Sequence, residues 1–243
     1  MRRVATNPDD NVRLSIVIPA YNEEPRLPGT VRHAIAYLEG ARRSYELVLV
    51  DDGSIDGTLD YMRRLQSERP RVRVIQLRPN RGKGKAVCEG VRAARGELIL
   101  YSDADLSTPI EELPRLEQAI EDGADVAFGS RAAPGAREVN QPFYRRVMGK
   151  GFNVLVRLLL LPEFRDTQCG FKLFRATVAR ESFAATRTEG FAFDVEVLWR
   201  AKRAGFRVVE VPVRWLNSDT SRVSPVVHST QMLRDLLRLR LFG

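Results

Sequence analysis

The chain has 243 residues, 44% of them hydrophobic, and 39 Lys and Arg residues against 31 Asp and Glu residues give it a formal net charge of +8. This is enough apolar material for a packed core, and no stretch approaches the roughly 18 uninterrupted apolar residues of a membrane span. Two Cys and two His residues, far apart in the sequence, argue against a disulfide framework, a zinc site and a Ser-His-Asp triad. The basic surplus has no zinc-finger spacing or clustered basic tail, so it fits phosphorylated substrates and lipid headgroups better than nucleic acid.

We expect residues 1–12, which are polar, to form a disordered arm and not a signal peptide. Apolar runs then alternate with helical patterns, which is typical of βαβ units in a mostly parallel sheet with flanking helices. Strands are predicted at 14–18, 46–50, 72–77, 97–100 and 125–128, and helices at 27–39, 58–68, 84–95 and 110–121. Ligands of such sheets bind beyond the carboxyl ends of the strands. Polar segments are predicted at that edge: 19–24, 51–54, 80–85, 103–105 and 129–131.

Beyond Arg131, a connection over 132–142 leads to a predicted helix over 143–161. Arg146, Lys150, Asn153 and Arg157 recur on it at helical spacing and form one polar stripe. The stripe is either the solvated face of a core-packed helix or the phosphate-facing side of a helix in a membrane interface. A strand at 172–174, a helix at 193–204 and a strand at 207–213 follow. A last amphipathic segment, 225–241, carries Arg234, Arg238 and Arg240 beside Leu233, Leu236 and Leu237.

Two carboxylates, Asp103 and Asp105, directly follow a predicted buried strand. They are hard oxygen ligands suited to Mg²⁺ or Mn²⁺, which proteins commonly bind through one or two carboxylates plus substrate phosphates. The same spacing also occurs in ordinary surface turns. In this position it predicts a divalent cation and a diphosphate substrate.

Two further carboxylates follow other strands. Asp52 is placed to accept a hydrogen bond from a uracil N–H or a ribose hydroxyl, or else serves as an ordinary turn residue. Glu23 is placed to bind the same nucleoside, or else caps the following helix.

Basic and glycine residues complete the polar edge. Segment 80–85 lacks the Ser or Thr of a Walker A sequence, which disfavours an ATPase. Its Gly82 and Gly84 allow close backbone approach, and Lys83 is placed to meet a diphosphate or nucleobase at a helix start. Arg131 is either a phosphate clamp that binds two oxygens at once or a surface arginine.

Taken together, these segments resemble family 2 glycosyltransferases of the GT-A fold. The segments that carry the resemblance are 15–24, 50–58, 80–84 and 102–105. Segments 129–131, 166–174, 193–196 and 232–237 are more specifically similar to dolichyl-phosphate β-glucosyltransferases and their bacterial polyprenyl-phosphate counterparts. Dolichyl-phosphate mannosyltransferases are the nearest competitor.

The resemblance implies a nucleotide-sugar site that a single domain, 13–243, would build mainly from its first half, 13–131. The metal ligands would be Asp103 and Asp105, and the mannosyl enzymes' Gln is replaced here by Ser107, which favours glucose and leaves a third ligand open. The implied donor-binding residues are Pro19, Ala20, Tyr21, Glu23, Asp52, Gly82, Lys83, Asp103, Ala104 and Asp105.

The implied reaction is inverting transfer of glucose from UDP-glucose to a polyprenyl phosphate, with Mg²⁺ or Mn²⁺ stabilising the leaving diphosphate. A lipid monophosphate, with a second pKa of about 6, is already largely dianionic and needs no general base. Asp166 and Asp194 would then orient sugar hydroxyls, act as a base for a hydroxyl acceptor, or have structural roles such as pairing with arginines. The residues expected at the acceptor phosphate, in half 132–243, are Arg131, Arg145, Arg146 and Lys150.

Three alternatives remain open at this stage. They are mannose transfer from GDP-mannose, transfer to a hydroxyl acceptor, and a non-catalytic domain that binds nucleotide or nucleic acid. Eukaryotic glucosyl enzymes carry an N-terminal membrane anchor that we do not expect here. Attachment as a peripheral protein on the cytoplasmic face would then come from the amphipathic helices.

Overall fold

The computed structural model describes residues 12–139, 143–217 and 225–243, with side chains described from 151 and from 230 in the last two ranges. The arm expected at residues 1–12 therefore lies outside the described residues except for Val12. The end of the 132–142 connection lies outside them as well.

Nine strands and eight α-helices lie within the described residues. The strands are β1 (Leu14–Ala20), β2 (Tyr45–Asp51), β3 (Val72–Gln76), β4 (Leu98–Ser102), β5 (Val126–Ser130), β6 (Arg137–Val139), β7 (Phe171–Arg175), β8 (Val208–Pro212) and β9 (Arg214–Leu216). The helices are α1 (Leu27–Gly40), α2 (Thr58–Glu68), α3 (Lys83–Ala93), α4 (Leu113–Glu121), α5 (Phe143–Leu159), α6 (Ala176–Ala185), α7 (Phe193–Arg203) and α8 (Pro225–Phe242).

Seven strands form one sheet in the order β3-β2-β1-β4-β7-β5-β8. All neighbours are parallel except β7, which runs antiparallel to both β4 and β5. Because β2 and β4 lie on opposite sides of β1, the loops that follow these three strands lie side by side at the carboxyl edge, where ligands of such sheets bind. The predicted mostly parallel sheet with flanking helices is confirmed, and the fold is GT-A.

Continuous apolar runs place the central strands in the core. Every residue of β1 and β2 is buried, as expected for parallel strands that are covered on both faces. Side chains of β1 alternate, so Ile16 and Ile18 pack on the face with α1 and α4, while Val17 packs with α3, α6 and α7. This double cover fixes the sheet edge from which the polar loops project.

Three elements differ from the sequence expectations. Helix α6 was not predicted; it is short, and one face of it is formed by its buried residues, Ala176, Val178, Ala179, Ser182 and Phe183. The strand predicted at 207–213 ends at Pro212, and the next residues form β9, which pairs in parallel with β6. The antiparallel insertion of β7 was also missed. The two strand differences depend on pairing between distant segments, which local periodicity does not report.

Candidate active site

The paired carboxylates lie in the turn that follows β4. The N–H of Asp103 donates to the carbonyl of Gly170 (3.0 Å), and that of Ser107 to Oδ1 of Asp105 (2.9 Å). A Cβ at Gly170 would lie 2.1 Å from Oδ2 of Asp103, so a larger residue there would displace this carboxylate. Gly170 thus has a steric role that its place in segment 166–174 did not reveal.

The turn fits a hard divalent cation. The side chain of Asp103 is 30% exposed, and Asp105 is partly exposed beside it. Within the described ranges, no group of three or more His, Cys, Asp or Glu residues surrounds an ion position. An ion bound by Asp103 and Asp105 would therefore take its other ligands from water and substrate, as Mg²⁺ commonly does.

Two donors meet at one oxygen of Asp103. The Tyr101 hydroxyl donates to Oδ1 (2.8 Å), and Nζ of Lys83 lies 2.8 Å from the same atom. Burial, followed by the charges of Asp103 and Asp194, raises the pKa of Tyr101 well above its ordinary value, so the hydroxyl stays protonated. Burial by itself would lower the pKa of Lys83, but the nearby carboxylates outweigh it and raise the pKa, which keeps the ammonium charged.

A fully buried ion pair lies beneath this turn. Lys172, on β7, donates to Oδ1 of Asp194 and to the Cys169 carbonyl (2.6 Å), and its ammonium lies 5.6 Å from the Tyr101 ring centre. Burial raises the pKa of Asp194, and Lys172 and Lys83 oppose that shift. Of the roles predicted for Asp194, the geometry shows pairing with a cation. Lys172 was not predicted as a site residue, although a lysine inside the apolar run of β7 was a signal.

Asp52 organises the loop before α3. Its carboxylate accepts hydrogen bonds from the N–H groups of Arg81 (2.9 Å) and Gly82 (2.8 Å) and from the Asn80 amide (2.9 Å). Burial raises the pKa of Asp52, and the two backbone donors counter it. The observed role of Asp52 is to hold this loop in place. A contact between Asp52 and a nucleoside stays a prediction.

Gly82 and Gly84 leave room for segment 188–190 to pack against this loop. Gly82 has φ +96°, and a Cβ there would lie 2.6 Å from the Glu189 carbonyl oxygen. That carbonyl also accepts the N–H of Gly84 (2.8 Å). The close approach expected for a ligand is therefore made by segment 188–190, which Glu196 fixes by accepting the N–H groups of Arg187 and Thr188 (3.0 and 2.7 Å).

Arg131 follows β5, as predicted, but its fork is occupied. Nε and Nη2 donate to the two oxygens of Asp166 (2.7 and 2.8 Å), and the Arg131 N–H donates to Oδ2 (2.9 Å). Burial tends to raise the pKa of Asp166, but Arg131 outweighs it and lowers the value to about 2. The chain's own carboxylate fills this fork in the structure, and the role of Arg131 as a phosphate clamp stays a prediction.

Asp166 itself is buried and saturated. Besides Arg131 it accepts the N–H of Gln168 (3.2 Å), and Glu210 fixes its backbone by accepting its N–H (2.8 Å). The Trp215 ring centre lies 5.4 Å from the Arg131 guanidinium carbon and covers the pair. Of the predicted roles for Asp166, pairing with an arginine is the one that this geometry shows.

The loop after β1 holds the remaining predicted donor residues. Pro19 and Ala20 end the buried strand, and the Tyr21 side chain is 43% exposed at the edge. The Glu23 carboxylate pairs with Arg26 (Nε to Oε2, 2.6 Å), and among the described residues no side chain caps the start of α1, so the capping alternative is not supported. Ala104 is buried, and its carbonyl accepts the Thr30 hydroxyl (2.6 Å). The side chains of Arg145, Arg146 and Lys150, on α5, lie outside the described part of the chain.

Comparison with known proteins agrees with this architecture. The model of the family "Glycosyl transferase family 2" matches residues 15–183, and the chain belongs to that family. The chain is 36% identical over 247 residues to a dolichyl-phosphate beta-glucosyltransferase of Dictyostelium discoideum, which covers 96% of this chain and 76% of the relative. It is 38% identical to the Homo sapiens protein of the same name, over 94% of this chain and 75% of the relative.

A solved structure supports the fold. Glucosyl-3-phosphoglycerate synthase from Mycobacterium tuberculosis, in complex with Mn²⁺, UDP and glucosyl-3-phosphoglycerate, superposes with a TM-score of 0.69 at 19% identity. The match covers 99% of this chain and 86% of that one.

Proposed function

We propose that the protein transfers glucose from UDP-glucose to a polyprenyl phosphate of the dolichyl type, with inversion, and releases UDP. The observation that carries the proposal is the carboxylate turn Asp103–Asp105 at the carboxyl edge of a GT-A sheet. Similarity along nearly the whole chain to proteins named for this activity supports it. We assign donor binding to 13–131 and acceptor binding to 132–243.

Asp103 and Asp105 would hold Mg²⁺ or Mn²⁺, which stabilises negative charge on a departing diphosphate when bound. The protein's own contribution is positioning: Asp52 holds the loop that presents Lys83, and Lys83 brings a positive charge to the same edge. Both aspartates considered as bases, Asp166 and Asp194, are buried in ion pairs. An acceptor that is already an anion, such as a lipid monophosphate, suits such a site better than a hydroxyl.

The activity is tested with a panel of nucleotide sugars, Mg²⁺ or Mn²⁺, and a short polyprenyl phosphate, with products identified by mass. We expect a glucosylated lipid phosphate from UDP-glucose. The matched acceptor control is the polyprenol without phosphate, which we expect to remain unmodified. A product from GDP-mannose alone would favour the mannosyl alternative, and no product from any donor would contradict the acceptor assignment.

We further propose that α5 and α8 bind the surface of an anionic bilayer. The two helices contact each other and bury Val156 and Leu236 in one core. Their outer sides expose apolar side chains, among them Leu158 (77% exposed) and Phe242 (79%). The described helices include none with the length and apolar character needed to cross a bilayer. Among the described side chains of the two helices, the large apolar residues that are exposed are Val154, Leu155, Leu158, Leu233, Leu237, Leu241 and Phe242.

The charge of α5 and α8 and the position of α8 support the proposal that these helices bind a membrane surface. Arg157, Arg234, Arg238 and Arg240 are exposed among the apolar residues, and each basic residue near an anionic surface contributes about 1 kcal/mol. A Cβ at Gly190, in the loop that packs on Gly82, would lie 3.3 Å from the Gln231 amide nitrogen on α8. The side chain of Gln231 on α8 therefore lies close to the proposed active-site edge, which would bring a lipid phosphate at the bilayer surface near that edge. Two free cysteines are compatible with a reducing compartment, so we assign the cytoplasmic face.

Charge reversal in Arg157, Arg234 and Arg238 to glutamate should release the protein from anionic liposomes, because about three favourable contacts become repulsive. Liposome sedimentation measures the effect, and UDP binding should not change. The matched control reverses Arg63, Arg64 and Arg69, exposed residues on and just after α2. Equal sedimentation of both variants would show that α5 and α8 do not form the membrane surface.

A further inference from the structure

Lys83 forms an ion pair with a carboxylate oxygen of Asp103, one of the residues proposed to bind the divalent cation. Nζ of Lys83 lies 2.8 Å from Oδ1 of Asp103, and its side chain is 22% exposed. The ammonium also lies 5.5 Å from the ring centre of Tyr101 and 5.9 Å from that of Phe191. An ion pair and two aromatic faces therefore hold Lys83 over the carboxylate turn.

The backbone at the start of α3 positions Lys83 next to Asp103. Lys83 is the first residue of α3, and Gly82 before it has φ +96°, a conformation that glycine adopts readily. Asp52 holds Gly82 from one side, and the Glu189 carbonyl holds Gly84 from the other. The Cα position of Lys83 is thus fixed, whereas its four-carbon stem remains flexible and can carry the ammonium elsewhere.

Lys83 reduces the net negative charge at the proposed cation site. Asp103 and Asp105 provide two negative charges, and Lys83 cancels one of them, while Lys172 and Asp194 cancel each other beneath the turn. Oδ1 of Asp103 also accepts the Tyr101 hydroxyl, so two donors already fill it. A divalent ion entering alone would have to compete with an ammonium that is already in place.

We propose that Lys83 is a placeholder cation that couples divalent-ion binding to donor binding. In the free protein Lys83 pairs with Asp103; when the nucleotide diphosphate arrives, Lys83 moves from the carboxylate to the diphosphate and leaves Asp103 free to ligate. The inference rests on the proposed function in assigning the ion to Asp103 and Asp105.

Reciprocal coupling follows from this exchange. UDP should increase the affinity for Mn²⁺, and Mn²⁺ should increase the affinity for UDP by the same factor. Without the Lys83 ammonium, Mn²⁺ alone should bind more tightly. The increase in Mn²⁺ affinity that UDP produces should then be smaller. We expect Lys83→Gln to raise the affinity for Mn²⁺ alone about tenfold, within the usual coupling range of about 5- to 150-fold.

The experiment is a Mn²⁺ titration followed by electron paramagnetic resonance, with and without saturating UDP. It compares the parent, Lys83→Gln and Lys85→Gln. Lys85 is the matched control because it lies in the same first turn of α3 but pairs with Glu89 (2.8 Å). Circular dichroism checks the fold, and Lys83→Met, which keeps an unbranched stem between the two rings, repeats the measurement if Lys83→Gln does not fold.

Tighter Mn²⁺ binding without UDP and weaker coupling in the Lys83 variant, with parent values in Lys85→Gln, would support the proposal. Equal Mn²⁺ affinity in the parent and Lys83→Gln would overturn it, as would an equal rise in Lys85→Gln, which would indicate a general charge effect. Either of these results together with glucose transfer by the parent would refute only the placeholder role. Absence of both Mn²⁺ binding and transfer in the parent would overturn the proposed function as well.

Discussion

Asp105→Asn should reduce glucose transfer by about 100-fold or more while the fold is retained. Residues that merely support a metal ligand typically contribute 10- to 100-fold, so loss of a charged ligand should exceed that range. In the parent, the N–H of Ser107 donates to Oδ1 of Asp105 (2.9 Å). Asparagine keeps a side-chain oxygen that can accept this hydrogen bond. The substitution therefore removes the charge and preserves the turn.

Steady-state rates at saturating UDP-glucose and metal measure this effect, and the thermal midpoint reports the fold. Asp60→Asn, an exposed change of the same chemistry on α2, is the control and should match the parent. Near-parent turnover of Asp105→Asn under these conditions would remove Asp105 from the set of metal ligands.

Asp166→Asn should lower the free energy of unfolding by about 3 kcal/mol, because loss of one partner leaves a buried charge without compensation. The side chain of Asp166 is 1% exposed and that of Arg131 20%, so solvent screens the pair only weakly. Asparagine would also turn an N–H₂ group toward one of the guanidinium donors. Chemical denaturation at neutral pH measures the loss, and Asp122→Asn, an exposed change before β5, is the control.

The same pair predicts a pH dependence with a definite sign. Arg131 lowers the pKa of Asp166 to about 2, below the ordinary value of about 3.9. A depressed carboxyl pKa stabilises the folded protein fully above the unfolded value, and this contribution, about 2 to 3 kcal/mol, is lost as pH falls from about 4 toward 2. Parent stability should fall across that window more steeply than that of Asp166→Asn. Parallel curves would show that the pair does not contribute to acid unfolding.

Much of the fold followed from local patterns. Short apolar runs predicted five of the six parallel strands, β1 to β5, and the later run 207–213 predicted the sixth, because a strand covered on both faces needs an unbroken apolar segment. Chain order then placed the polar segments at the carboxyl edge. The antiparallel strand β7, by contrast, enters the sheet between β4 and β5 through backbone pairing that leaves no period in its own five residues.

The sequence by itself determined the family, through several short segments taken together, and it placed Asp103 and Asp105 in a turn after a strand at the polar edge of the sheet. Only the tertiary structure decided which partners the charged side chains have. Arg131 and Asp166 are 35 residues apart and Lys172 and Asp194 are 22 apart, yet each pair is in direct contact. A charge is buried only where folding brings an opposite charge to it. For that reason Arg131, expected at a phosphate, binds a carboxylate, and Lys83, expected at the donor, rests on Asp103.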